Sequence, residues 1–272
     1  MRIIEHEQRS PEWFAARKGL FTASKVGMFC AEPFAISLTV AEIKTLLDPI
    51  GIAYKSTMKR DELLAILPNA DSFLGLTPAA QNLIDTTLGE AADGEDRPPD
   101  LGNYWTRRGT DMEPEAVAAY ERKTCHTVTA VGLCIHDSGH FGASPDGLIY
   151  SNYSRLCGNV MVTDVIVSHG LEVKCPEGKV HLKYLRAGTV PDEYLCQVHC
   201  QLAVTGCQFW DFFSYHPNLP PLLVRIERDE FTERLCAGLI ALGEEKRRQE
   251  KALAEAWRAE FEEGKTNGSE PQ

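Results

Sequence analysis

The sequence predicts an α/β protein with a small helical insertion. Alternating apolar segments typical of strands dominate the second half of the chain, and amphipathic segments with capping residues lie on both sides of them. Between residues 36 and 99 the composition changes to short helices and an acidic connector. The 272 residues suffice for one large domain or a core with a small module, and 43% hydrophobic residues is ordinary for a globular protein.

The net charge argues against a protein that coats DNA, and the cysteine pattern argues against a bound zinc ion or iron–sulfur cluster. The formal net charge of −11 is the wrong sign for a protein that coats DNA electrostatically, although it permits an acidic enzyme site beside a local DNA groove. Nine cysteines with no signal peptide or membrane span predict a cytoplasmic protein with reduced thiols. Cys196 and Cys200 flank His199 in a helical pattern without a second cysteine pair, so we expect neither zinc nor an iron–sulfur cluster.

The chain divides into a discontinuous core, an insertion and a tail. The predicted ranges are 1–35 and 100–245 for the core, 36–99 for the insertion, and 246–272 for a charged C-terminal helix and tail. Within the insertion, residues 38–68 predict two short helices joined by an extended segment, with Thr39 and Thr57 as caps. This unit resembles helix–extended-loop–helix (HeH) modules of the SAP and LEM types, which would bind DNA or protein.

The first helix begins after Ser10, a good N-cap, with Pro11 in its first turn. The segment from Thr22 to Ser24 predicts the cap of a second helix. Arg17 and Ser24 would then lie beside a helix N-terminus, a position suited to an anion. From these residues alone, a surface arginine and a structural cap are the simpler interpretation.

A further helix is predicted to begin at Gly109. Thr110 and Glu113 match a capping box, and Pro114 is tolerated in a first turn. Capping alone would explain Glu113. The alternative is an additional carboxylate at a metal site.

The central motif is an aspartate in a turn followed by Glu-x-Lys on a strand. Glu172 and Lys174 lie two residues apart in a strand pattern, so both point to one face while Val173 points to the other. With Asp146 from the preceding Ser-Pro-Asp-Gly turn, they form the oxygen-rich set that Mg²⁺ prefers. A metal there can deprotonate a water that Lys174 positions. Each motif alone is usually a solvated pair or a plain turn, but together they indicate a metal-dependent nuclease.

The strands around this motif are predicted at 127–135, 141–150 and 160–173, as an antiparallel meander with an irregular loop at 151–159. After them, a basic helix at 178–186 would suit a DNA backbone through Lys179, His181, Lys183 and Arg186.

The last part of the chain predicts a helix at 192–205, which carries Tyr194, Gln197 and Gln201 on overlapping faces. Strands at 208–215 and 222–227 and a long charged helix at 229–263 follow.

The ordered set of motifs resembles the lambda exonuclease / YqaJ-like viral recombinase family, within the PD-(D/E)xK nuclease superfamily. The matching segments, in order, are Trp13–Ser24, Gly109–Glu113, Ser144–Leu148, Leu171–Pro176 and Tyr194–Gln201. The resemblance covers the chain outside the insertion and the tail, and five motifs in order are far more specific than any one. It implies a mixed central sheet flanked by helices.

The resemblance also implies roles for individual residues. Asp146 and Glu172 would bind the metal with the Val173 carbonyl, Glu113 would add a carboxylate, and Lys174 would activate the water. Gln197 would lie near the metal and nucleophile. A 5′-phosphate pocket would contain Arg17, Ser24 and Ser144, with Lys179 and Lys183 as further DNA contacts.

The implied activity is Mg²⁺-dependent 5′→3′ digestion of one strand at double-stranded DNA ends, which leaves 3′ overhangs. Mn²⁺ would substitute for Mg²⁺. The implied assembly is a homotrimeric ring with a single-strand annealing partner (RecT/Bet type), in a bacterial host with the gene carried by a phage or prophage.

The sequence departs from the family pattern in the insertion, in a longer interval between Asp146 and Glu172, and in lacking an obvious arginine after the Glu-x-Lys strand. Lys179, His181 or Lys183 are candidates to replace that arginine. Two other functions remain open. One is a nicking or structure-specific endonuclease with the same site, and the other is a DNA-binding scaffold acting through the insertion.

Overall fold

The computed structural model describes residues 1–93, 104–157 and 160–266, and within them it has the predicted mixed α/β fold. The strands are β1 (Arg2–Ile4), β2 (Phe21–Thr22), β3 (Phe34–Ile36), β4 (Leu74–Leu76), β5 (Val128–Thr129), β6 (Leu133–Ile135), β7 (Phe141–Ala143), β8 (Gly147–Cys157), β9 (Val160–Lys174), β10 (Phe209–Ser214) and β11 (Leu222–Glu227). The α-helices are α1 (Pro11–Arg17), α2 (Val40–Leu47), α3 (Arg60–Ile66), α4 (Pro78–Ala92), α5 (Tyr104–Thr124), α6 (Gly178–Ala187), α7 (Asp192–Thr205) and α8 (Glu230–Thr266).

The main sheet has the order β11-β10-β9-β8-β5, with β9 in its centre. Strands β9 and β10 run parallel, whereas the other neighbours are antiparallel, so the sheet is mixed. A second sheet has the order β1-β6-β7-β2, and β3 pairs with β4. The Glu-x-Lys motif is formed by the last residues of β9, so it lies at the C-terminal end of the central strand.

The two faces of the main sheet bury different helices. On one face, Trp210 and Phe212 belong to the largest apolar cluster, which includes residues of α4, α7 and α8. On the other face, Ala116 and Tyr120 of α5 pack against Leu171. The central strand is therefore covered by helices on both faces.

The helix pair α2–α3 has an apolar cluster of its own, built around Ile43, Leu47, Leu63 and Leu67. Thr39 caps α2 with a complete capping box, as predicted. The second cap is different, because Lys59 and not Thr57 is the N-cap of α3, where its backbone N–H donates to Glu62.

Helix α4 packs with the core although it lies within the range 36–99. Its Ala80, Leu83 and Ile84 are buried in the largest apolar cluster. The packing therefore separates the α2–α3 pair, and not the whole range, from the rest of the molecule. Residues 94–100 of the acidic connector and 267–272 of the tail lie outside the described residues.

The predicted start of α5 is wrong, because the helix begins at Tyr104 and contains Thr110, Glu113 and Pro114 in its interior. Pro114 lacks the N–H that would donate to the Thr110 carbonyl. Burial of Ala116 and Tyr120 against the sheet offsets that lost hydrogen bond.

The predicted strand at 127–135 divides into β5 and β6, which belong to different sheets. Gly132 lies at the break, where a Cβ atom would be 2.1 Å from the His6 carbonyl oxygen and 2.5 Å from that of Ile4. The segment 141–150 divides in the same way into β7 and β8, so the three predicted strands form no single meander.

The predicted irregular loop at 151–159 is instead part of a long hairpin. Strand β8 continues to Cys157, paired with β9 from Val160 onward. Residues 158–159, at its tip, are outside the described part of the chain. The β-branched content of residues 160–167 favours this extension. Among the described residues, no helix is long and apolar enough to cross a membrane.

Candidate active site

Asp146 is held against β9 by two backbone contacts. It follows β7 in the short segment that passes from one sheet to the other. Its backbone N–H donates to the Leu171 carbonyl at 3.2 Å, and its Oδ2 accepts from the Val173 N–H at 2.6 Å. The turn therefore delivers this carboxylate to the strand that carries Glu172.

Glu172 is 2% exposed and is surrounded by donors. Its Oε1 accepts from Lys174 Nζ and, at 2.7 Å, from Gln197 Nε2, while its Oε2 accepts from Gln201 Nε2 at 2.5 Å. Both glutamines lie on α7, one turn apart. Glu172 and Lys174 thus share a face of β9, as the two-residue spacing predicts.

Lys174 lies between carboxylates and an aromatic ring. Its Nζ is 4.9 Å from the ring centre of Tyr194, and its side chain is about one quarter exposed. Burial by itself lowers the pKa of Lys174, but the charges of Glu172 and Asp146 outweigh burial and raise it. The amine is therefore a fixed positive charge, suited to orienting a water or a phosphate and not to accepting a proton.

Asp146, Val173 and Lys174 line a cleft of about 530 Å³, and Glu113 reaches it from α5. The cleft is lined by Arg9, Gly109, Thr110, Glu113, Asp146, Val173, Lys174, Cys175, Pro176, Glu177, Val180, Tyr184 and Tyr194. Burial, followed by the charge of Glu172, raises the pKa of Glu113, and Arg9 and Lys174 oppose that rise.

The cleft concentrates negative charge that its own cations do not balance. Burial and the charge of Glu172 raise the pKa of Asp146 well above its usual range. Three carboxylates that repel one another, beside the Val173 backbone, are the oxygen donors that hard divalent cations prefer. Among the described residues, no group of three or more Asp, Glu, His or Cys side chains is placed so that it could hold a metal ion.

Arg17 and Ser144 form a second polar site next to Asp146. Ser144 Oγ accepts from Arg17 Nη1 and from Trp13 Nε1, both at 3.0 Å, and the guanidinium lies 4.1 Å from the centre of the Trp13 ring. Burial lowers the pKa of Arg17 to about 10, which leaves it charged at neutral pH.

Ser24 does not join this site through any helix N-terminus. The predicted second helix is only a 3₁₀ turn at Ala23–Lys25, and Thr22 makes no side-chain capping bond. Ser24 itself is exposed. A cap pattern of three residues without a following apolar repeat does not sustain a helix.

The basic residues of α6 divide into two groups. Lys179 and Lys183 are exposed and do not line the cleft, although Val180 and Tyr184, next to them, do. His181 is fully buried, where its Nδ1 contacts Ser214 Oγ at 2.7 Å and its Nε2 contacts the Pro220 carbonyl at 2.9 Å. The suggestion that His181 replaces the family arginine is therefore wrong.

The sequence assigns no role at this site to two residues, Gln201 and Arg9, although it places Gln201 on the same helix as Gln197. Gln201 donates to Glu172, and its spacing of four residues from Gln197 on a helix was the available signal. Arg9 lies at the cleft wall, and no local motif marks it.

The fold and the cleft define a class of enzyme. A Pro-Asp turn meets a Glu-x-Lys motif at the end of the central strand of a mixed sheet, with a third carboxylate from α5. This is the arrangement of a PD-(D/E)xK nuclease. The role of each residue within it stays a prediction.

The comparisons with known proteins assign the family. The YqaJ-like viral recombinase domain matches residues 69–208, slightly more than half of the chain, and the chain belongs to that family. The matched segment begins just after α3, so it leaves out the α2–α3 pair. No protein with a curated description matches the sequence.

Solved structures agree with this assignment. An alkaline exonuclease (LHK-Exo) from Laribacter hongkongensis is 27% identical, with a TM-score of 0.56, over 91% of this chain and 100% of that chain. The same exonuclease in complex with dAMP is 26% identical, with the same TM-score and coverage. The family and these similarities identify the protein as a deoxyribonuclease.

Proposed function

We propose that the protein is a Mg²⁺-dependent 5′→3′ exonuclease that digests one strand of linear double-stranded DNA and leaves 3′ overhangs. The observation that carries this proposal is the position of the Arg17–Ser144 pair, two residues from Asp146 in the same turn. A cation there can hold a terminal phosphate while the adjacent phosphodiester lies in the carboxylate cleft. An enzyme that cuts internally needs no such pocket.

In the proposed mechanism, Asp146, Glu172 and Glu113 would hold divalent cations, with the Val173 carbonyl as a further ligand. Bound Mg²⁺ or Mn²⁺ supplies the activation of water and the neutralisation of charge on the phosphate. Lys174 orients the attacking water, because its charge is fixed by Glu172 and Asp146. Gln197 and Gln201 hold the Glu172 carboxylate in one orientation.

The biological context that fits this activity is recombination of phage type. A homotrimeric ring around the duplex would keep the enzyme on its substrate, and a single-strand annealing protein would bind the exposed strand. We place this reaction in the cytoplasm of a bacterial host. The family description, viral recombinase, supports the recombination role.

The test is digestion of a linear duplex that carries one 5′-phosphate, with a different label on each strand, in Mg²⁺ and in EDTA. The proposal predicts mononucleotides from the phosphorylated strand only, and only with Mg²⁺. Internal fragments, or nicking of covalently closed circular DNA, would instead establish the endonuclease. DNA binding without cleavage under either condition would favour the scaffold acting through α2–α3.

A variant of Arg17, compared with a control variant, tests the proposed phosphate site separately from the carboxylate cleft. Arg17→Gln should abolish the preference for the phosphorylated strand while cleavage continues at a reduced rate, because the carboxylates remain in place. The matched control is Arg122→Gln on the last turn of α5, outside the residues that line the cleft. An unchanged strand preference in Arg17→Gln would contradict the phosphate assignment.

A further inference from the structure

Arg9 occupies an unusual backbone position at the edge of the cleft. It lies two residues before α1 and has a φ of +72°, in the left-handed region that disfavours any residue with a Cβ atom. Glycine would adopt this conformation more readily. Residues in such strained backbone conformations are concentrated at functional sites.

The neighbours of Arg9 fix its backbone to the turn that carries Asp146. Gln8 Nε2 donates to the carbonyls of Val131 and Pro145, both at 2.8 Å. On the other side, the Ser10 hydroxyl accepts from the Trp13 N–H at 3.2 Å as the cap of α1. The backbone of Arg9 is therefore held between two anchored residues, at a position where its side chain lines the cleft.

The side chain faces the cleft but is only loosely paired. Arg9 Nη2 lies 3.6 Å from Glu113 Oε2, longer than a good hydrogen bond, and the side chain of Arg9 is 53% exposed. The other cation that lines the cleft, among the described residues, is Lys174, which is bound to Glu172. Arg9 thus keeps donors free for a ligand.

We propose that Arg9 binds a phosphate of the DNA backbone in the cleft, beside the carboxylates. This inference rests on the proposed function and adds a DNA-contacting residue to it. A guanidinium offers five donors in a planar fork that matches the non-bridging oxygens of a phosphodiester. It also offsets the repulsion between the phosphate and Glu113. Arg9 is distinct from Arg17, which donates from Nη1 to Ser144 Oγ and is not among the residues that line the cleft.

The test compares Arg9→Gly and Arg9→Lys with the wild-type chain. Glycine suits the positive φ, so Arg9→Gly should fold at least as well as the wild type, which thermal unfolding checks. The matched control is Arg258→Ala, an exposed position on α8, which contributes no residue to the cleft. The probe is a 5′-phosphorylated duplex, with Kd measured in EDTA over a series of KCl concentrations.

The proposal predicts that Arg9→Gly weakens duplex binding about tenfold and reduces the slope of log Kd against log salt by about 0.9, the value for one lost phosphate contact. Arg9→Lys should keep the wild-type salt slope but bind the duplex more weakly than the wild type, because lysine keeps the positive charge and lacks the planar guanidinium. Arg258→Ala should match the wild type.

An Arg9→Gly protein with the wild-type salt slope would overturn the proposal, even if its activity were reduced. That result would leave Arg9 as a residue that only positions Glu113. A wild-type protein that neither binds nor digests duplex DNA would instead contradict the proposed function, so the two failures are distinguishable.

Discussion

Two acidic sites at neighbouring strands of the main sheet are arranged in opposite ways. One is the set of three cleft carboxylates around Glu172 on β9, and the other is the single carboxylate of Asp211 on β10 with its partners, the Asp211 cluster. In the cleft, Asp146 and Glu113 have raised pKa values because burial and like charges act on them. On β10, burial by itself raises the pKa of Asp211, but hydrogen bonds from its neighbours hold it well below the usual range. Glu172 and Asp211 point to opposite faces, since Glu172 pairs with the residue after Asp211.

Asp211 is fully satisfied by its surroundings. It is 1% exposed and accepts from Tyr120 at 2.8 Å and from two nitrogens of Arg225, at 2.8 and 3.0 Å. His169 Nε2 lies 3.5 Å from the same carboxylate. Such a network ties α5, β9, β10 and β11 together.

The two acidic sites therefore have different effects on the protein. The Asp211 cluster matches its charge with donors, so it stabilises the fold as it stands. At the cleft, three carboxylates face two cations, Lys174 and Arg9, and the pKa values of Asp146 and Glu113 are raised because their charged forms are disfavoured there. The following predictions test this difference, from the largest effect to the smallest.

Lys174→Ala should lower the turnover rate on linear duplex DNA by roughly 10²- to 10⁴-fold, because the water loses the group that orients it. Duplex affinity should change little. Single-turnover digestion and a binding assay on the same preparation measure the two effects. Lys251→Ala, on the exposed part of α8, is the control. Digestion by Lys174→Ala at the wild-type rate would remove Lys174 from the mechanism.

Asp211→Asn should lower the free energy of unfolding by about 1–3 kcal/mol, because Tyr120 and the half-exposed Arg225 lose a charged hydrogen-bond acceptor. Urea titration measures the loss, and Asp71→Asn, at an exposed position, serves as the control. The folded variant should still cleave DNA. A loss of cleavage with stability intact would show that this cluster belongs to the catalytic machinery.

Asp146→Asn should have the opposite effect on stability. It should raise the free energy of unfolding of the metal-free protein by about 1 kcal/mol. The asparagine oxygen can still accept from the Val173 N–H, while the repulsion with Glu172 disappears. Urea titration in EDTA detects the gain, and activity should be lost. A destabilised Asp146→Asn would mean that the carboxylate is satisfied without a cation.

The low pKa of Asp211 also predicts a pH dependence. A carboxyl with a folded pKa below its unfolded value of about 3.9 stabilises the protein above that pH and loses its contribution as the pH falls. The stability difference between the wild type and Asp211→Asn should therefore narrow below about pH 4, by up to about 1.4 kcal/mol per pH unit. Urea titrations at pH 7, 4 and 3 measure it. A constant difference would contradict the lowered pKa.

The features predicted correctly from the sequence depend on local rules. Helix α7 and strand β11 have the predicted bounds, because capping residues and periodicity define them within one segment. The shared face of Glu172 and Lys174 follows from the two-residue period of a strand.

The features that the sequence did not predict depend on distant contacts. Asp211 meets Tyr120, 91 positions away in the chain, and Gln8 donates to Pro145 across 137 positions. Nothing near Arg9 or Asp211 in the sequence indicates these partners. The start of α5 was misjudged for a related reason, because burial against the sheet overrides the local signal of Pro114.

The most direct test of the account is the thermal unfolding of three proteins with and without Mg²⁺: the wild type, Asp146→Asn and Asp211→Asn. If the charge deficit of the cleft is a divalent-cation site, Mg²⁺ should raise the Tm of the wild type and of Asp211→Asn by similar amounts. It should raise that of Asp146→Asn much less. Equal shifts in all three proteins, or no shift in the wild type, would contradict the assignment of the cleft as the metal site.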